Sequence, residues 1–166
     1  MADIVEFKIE GLEELRKAFL ENLPREASMA IREALVASGE IIQDSMEKNA
    51  PREESGPDAG LLANNIVTKV KVRKGRGYAL IGPKRGVWYS EGRKSAGVIN
   101  FITRTGKRVA LPVKAGAKIS IAHVSRFLEF GTSRAPADPF MTRAYESTRA
   151  AVQDCIVSKL RERLKL

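Results

Sequence analysis

The chain has 166 residues, 43% hydrophobic and 30% charged, with one histidine, one cysteine and a formal net charge of +9. That supplies an ordinary core for one domain spanning residues 1–166, while no run of about 18 apolar residues exists to cross a membrane. Met1 to Glu6 lacks the basic and apolar regions of a secretory signal, and the lone Cys155 excludes an intrachain disulfide framework, so the chain is expected to be made in a reducing cytoplasm.

Asp3 to Ile9 alternates as a short strand with Val5, Phe7 and Ile9 on one face. A helix begins near Leu12, is interrupted at Pro24, and renews from there to about Asn49. Over that second part Ala27, Ile31, Leu35, Ser38, Ile42 and Met46 form one stripe, so the helix must dock against something. Pro51 closes it, and Gly56-Pro57 marks a turn in the polar stretch that follows.

Asn65 to Val72 alternates again, with Ile66, Thr68, Val70 and Val72 on one side and Val67, Lys69 and Lys71 on the other. Gly75-Arg76-Gly77 is the expected turn into a partner strand over Tyr78 to Gly82, giving a β-hairpin. Residues 83–120 are rich in glycine and cations, with β-like pieces at Val98–Thr103 and Val109–Val113 around Thr105-Gly106-Lys107. Two readings stay open there, an extended basic hairpin or a largely disordered loop short of apolar anchors.

Ile121 to Phe130 fits a short helix, with Ile121, Val124, Phe127 and Leu128 on one face and Gly131 as the left-handed residue beyond it. Asp138 is the expected N-cap and Pro139 the first residue of a final helix. Its stripe is Phe140, Ala144, Thr148, Ala151-Val152, Cys155-Ile156, Leu160 and Leu164. The predicted fold class is therefore α+β, two long helices covering a small antiparallel sheet, with a short helix and a long basic loop or hairpin.

Material for catalysis is sparse. His123 and Cys155 have no metal-ligand spacing, and Cys155 lies on the apolar stripe of the last helix, the position of a core residue. Between Gly86 and Ser95 the glycine spacing is one residue too long for a phosphate-binding loop, and Arg93 intrudes between Gly92 and Lys94. No catalytic, cofactor or metal residue is assigned, and the expectation is a protein that is not an enzyme.

Charge is the stronger signal. Residues 1–60 carry 7 Lys and Arg against 14 Asp and Glu, whereas residues 61–126 carry 15 against the single Glu91. So basic a section is solvated, or it faces nucleic acid or an acidic face of a neighbour. The candidates are Lys84, Arg85, Arg93, Lys94, Arg104, Lys107, Arg108, Lys114 and Lys118, with Trp88, Tyr89 and Phe101 interleaved to stack on bases. No recognition helix of known groove geometry is visible, so any DNA contact is expected to lack sequence specificity.

The most informative block runs from Phe127 to Phe140, FLEFGTSRAPADPF. Phe127 and Phe130 are expected to anchor the short helix, and Gly131 to reverse the chain. Glu129 is anomalous, because a carboxylate in a helix's last turn opposes the dipole. It calls for a compensating partner, an arginine or free backbone N–H groups in the loop from Thr132 to Asp138; an internal role and an intersubunit contact both stay open.

Phe127, Glu129, Phe130, Gly131, Thr132, Pro139 and Phe140 resemble the signature of the tailed-phage family named after the tenth gene product of phage HK97. Ala50-Pro51 at the end of a long helix and Gly60-Leu61 opening the next element agree with it. Val124 and Arg143 depart from it, standing where tyrosine and proline are common. The resemblance implies a virion structural protein at the neck or head-proximal tail, a tail-completion or head–tail joining subunit. It further implies a ring around the DNA channel, commonly sixfold, with neighbouring head-connector and tail-tube or tail-terminator proteins, no cofactor and no membrane partner. Within such a ring the basic hairpin would meet the acidic region of the next subunit or line the channel. The alternative function is a non-specific DNA-binding protein acting outside the virion.

Overall fold

A computed structural model describes residues 24–53, 58–73, 76–89, 97–103, 105–114, 116–117, 119–133 and 135–164. The strand expected over Asp3–Ile9 and the helix expected from Leu12 lie outside these residues. Along the chain the elements are α1 (Pro24–Asn49), β1 (Arg52–Glu53), a 3-10 turn (Ala63–Asn65), β2 (Ile66–Arg73), β3 (Arg76–Pro83), β4 (Trp88–Tyr89), β5 (Gly97–Ile102), β6 (Arg108–Val113), β7 (Ile119–Ser120), α2 (Ile121–Phe130) and α3 (Phe140–Leu164). The class is α+β, as expected. The β-structure is divided into three separate antiparallel pieces, in the orders β1-β5-β6, β2-β3 and β4-β7.

α1 begins at a proline, which has no N–H to leave unpaired there. Ala27, Ser38, Ile42 and Met46 of the predicted stripe are buried, but Ile31 and Leu35 are only half-buried, and Ala30 and Ala34 are buried beside them. Those alanines admit α3 closely, meeting Leu160 in a small cluster. α1 and α3 run antiparallel, since Glu33 pairs with Arg163 at one end and Ser45 meets Ser147 nearer the other.

The other flank of α1 carries the β2–β3 hairpin. β2 and β3 pair from Ile66↔Pro83 to Arg73↔Arg76. Gly77, expected in the turn, is a strand residue paired with Val72, and Gly75 lies outside the described residues. A Cβ on Gly77 would stand 2.6 Å from both Ile31 Cγ2 and Leu35 Cδ1, so its lack of a side chain lets the hairpin press on α1. Thr68 Oγ1 completes the junction, 3.2 Å from Gly39 O and 3.0 Å from Gln43 Oε1.

Of the two readings of residues 83–120, the described residues show the hairpin. β5 and β6 pair from Gly97↔Val113 to Ile102↔Arg108. The end is tied by Thr103, whose N–H donates to Lys107 O at 2.9 Å and whose Oγ1 accepts from Lys107 N–H at 3.0 Å. Apolar anchors are not lacking, because alternation turns Ile99, Phe101, Val109 and Leu111 inward into the main core, which also holds Val124, Leu128 and Phe140. Phe101 meets Tyr89 edge-on at 5.8 Å. Both rings are buried, which corrects the expectation that they stack on bases; Trp88 is the exposed member. Burial pushes the Tyr89 hydroxyl above its ordinary range, against the opposing effect of a backbone hydrogen bond at Leu62.

Candidate functional site

α2 starts at Ser120, whose Oγ accepts from His123 N–H at 3.2 Å. Ile121, Val124 and Leu128 are buried by the 3.6-residue period, and Phe127 is half-buried, stacked on His123 at 6.0 Å. Phe130 is 75% exposed and so does not anchor the helix. Two residues beyond Leu128, it is turned about 200° from the buried face.

Between them Glu129 is buried, and its carboxylate leaves its own helix to cap the next. Oε2 accepts from Met141 N–H at 2.9 Å, while Oε1 accepts from Thr142 N–H at 2.9 Å and from Thr142 Oγ1 at 2.6 Å. A carboxylate disfavoured at the C-terminus of α2 is favoured at the N-terminus of α3, where four N–H groups lack intrahelical acceptors. The compensating partners are thus backbone N–H groups, supplied by α3's first turn and not by the Thr132–Asp138 loop. Asp138 is not the expected cap: its backbone N–H returns to Leu128 O at 2.7 Å and its carboxylate pairs with Arg143 at 2.6 Å. Pro139 O accepts the first helical N–H, from Arg143 at 3.0 Å.

Gly131 makes the reversal with φ 72° and ψ −178°, a region essentially closed to other residues. A Cβ there would stand 2.8 Å from Ala137 N. Thr132 forms a bridge with Ala135, donating N–H to Ala135 O at 2.8 Å. Phe140, at the start of α3, is fully buried. Beside this turn is a recess of about 210 Å³ lined by Ile99, Leu111, Pro112, Ile119, Val124, Phe127, Thr132 and Ser133.

Among the described residues, the predicted cations are spread over several places in the fold. Lys84 and Arg85 follow β3, Lys107 and Arg108 sit at the closed end of the β5–β6 hairpin, and Lys114 lies past its open end, all exposed. Six strand residues of about 3.3 Å separate Arg108 from Lys114, roughly 20 Å. Arg93, Lys94, Arg104 and Lys118 lie outside the described residues.

A basic surface that the sequence reading did not single out stands on β2–β3. Cross-strand partners share a face, so Lys69↔Leu80, Lys71↔Tyr78 and Arg73↔Arg76 all point away from α1. All six are exposed, Leu80 by 61% and Tyr78 by 50%. The signal was present in the sequence, in the alternation of Lys69, Lys71 and Arg73.

Cys155 is half-buried and not a core residue as expected. Among the described residues no group of three His, Cys, Asp or Glu side chains could hold a metal ion, and no helix is long and apolar enough to cross a membrane.

Over residues 14–131, more than half of the chain, the sequence matches the family model described as "Bacteriophage HK97-gp10, putative tail-component". The chain belongs to this HK97-gp10-like family of phage structural proteins. The match includes Glu129 and Gly131 and stops before Pro139 and Phe140, the last part of the resembling block. No curated protein and no solved structure matches the chain.

Proposed function

We propose that the protein is a tail-completion or head–tail joining subunit of a tailed bacteriophage, assembling as a ring of identical copies around the DNA passage. Its neighbours in the neck are a head-connector protein on one side and a tail-tube or tail-terminator protein on the other. Six copies are what the family resemblance implies.

The observation that carries this reading is an exposed aromatic and an apolar recess on the same chain. Phe130 lies between the buried Glu129 and Gly131, whose positive φ sets the chain's course, and is 75% exposed. The recess of about 210 Å³ beside Phe127 is large enough for a phenyl group, since an apolar cavity of about 150 Å³ takes up benzene. Knob and hole at different places on one surface associate head to tail, and head-to-tail contacts close into rings when the rotation permits. An exposed aromatic is also a residue type enriched at protein–protein interfaces.

The test is complementation of a phage deleted for this gene. The wild-type gene should restore joined particles containing the subunit at the neck, and Phe130→Asp should leave separate heads and tails. Infectious tailed particles formed without the protein would overturn the reading. Absence of the subunit from purified virions would favour the alternative, a DNA-binding protein acting outside the particle.

A further inference from the structure

We propose that the outer face of the β2–β3 hairpin is a docking surface for the sugar–phosphate backbone of duplex DNA, bound without base specificity. The partner is thereby named for one surface of the subunit, and the inference rests on the reading of the chain as a protein of the DNA passage.

Charge complementarity is the first argument. Lys69, Lys71, Arg73 and Arg76 are exposed on one face, with no carboxylate partner among the described residues. Arg73 and Arg76 stand directly opposite each other, and like charges in that position destabilise a hairpin unless an anion lies across them. Alternation spaces Lys69, Lys71 and Arg73 by about 6.6 Å, so their charges form one row along the outer face of the hairpin.

Rigidity is the second argument. Gly77 seats the hairpin against Ile31 and Leu35, and Thr68 ties it to Gly39 and Gln43. The cations thus project from a braced platform, and little backbone order is lost on binding.

An acidic surface of another copy is the competing anion, and four of the described acids are already engaged. Glu33 is engaged by Arg163, Glu162 by Lys159, Asp138 by Arg143 and Glu47 by Gln43. Arg32 and Lys48 are interspersed among the remaining acids of α1.

The experiment is fluorescence polarisation of labelled 30-base-pair duplexes with the purified full chain over a range of NaCl concentrations. The full chain should bind two unrelated sequences about equally. The variant Lys69→Gln/Lys71→Gln/Arg73→Gln/Arg76→Gln should weaken binding at least ~10-fold at low salt and flatten the log–log salt dependence by about 3–4. Lys107→Gln/Arg108→Gln should leave both nearly unchanged. Lys69→Arg/Lys71→Arg, which keeps the charge, should bind as wild type and controls for folding. No binding by the wild-type chain, or a glutamine variant that binds as well as wild type, would overturn the inference. So would polyglutamate competing as well as DNA at equal charge, which would point to an acidic protein partner instead. Separate heads and tails test the assembly reading; a lost salt dependence tests this surface. Joined particles from the glutamine variant, together with lost DNA binding, would leave the assembly reading intact.

Discussion

Glu129 and Thr142 are joined twice, because one carboxylate oxygen accepts both the backbone N–H at 2.9 Å and the hydroxyl at 2.6 Å. With Met141 N–H on the other oxygen, a side chain from α2 replaces the local cap that α3 lacks. Glu129→Ala should therefore orphan two helix donors in a buried place and cost about 2–3 kcal/mol. Glu129→Gln keeps one acceptor but turns an amide N–H₂ toward a donor, and should cost roughly half as much. Urea midpoints of the purified variants check the order.

Gly131→Ala would combine a positive φ with a Cβ 2.8 Å from Ala137 N and 3.0 Å from Ala135 O, both backbone atoms that cannot swing aside. The expected loss is about 2 kcal/mol or more, a fall in Tm of roughly 4–8 °C for a chain of this size. Calorimetry reads it directly.

Phe130→Asp should cost the free subunit no more than about 1 kcal/mol, because the ring is 75% exposed and only the new carboxylate opposes the α2 dipole. Its effect should fall on particle joining. A large loss of thermal stability would mean that the ring serves the fold instead.

Phe101→Ala should cost about 3–5 kcal/mol, since the ring is fully buried against Tyr89. Trp88→Ala, at the half-exposed neighbour, should cost under about 1 kcal/mol. Unfolding curves of the pair separate core aromatics from surface ones.

The Glu33–Arg163 pair makes stability depend on pH. The Arg163 hydrogen bond holds the Glu33 carboxyl below its ordinary value of 4.5. A depressed folded value means the contribution is full above about pH 4.5 and is lost as pH falls through the lower folded value. Wild type should melt slightly above Glu33→Gln at neutral pH, and the two should converge in acid. Salt should shrink the difference, as both side chains are solvated.

Local patterns were enough to read the elements. Period 3.6 marked α1, α2 and α3, period 2 marked β2–β3, β-like pieces marked the sites of β5 and β6, and Gly131 declared its reversal. These are short-range consequences of side-chain spacing and turn chemistry, so the sequence alone carries them. It also marked Glu129 as a carboxylate needing compensation. Which donors compensate it was decided only when α3 was brought back against α2, 12 residues on. Long-range packing likewise turned Phe101 and Tyr89 inward, where composition could not distinguish them from the exposed Trp88. The cations make the same point: a count located the +14 section, but strand register divided it, lining four charges along β2–β3 and parting Arg108 from Lys114.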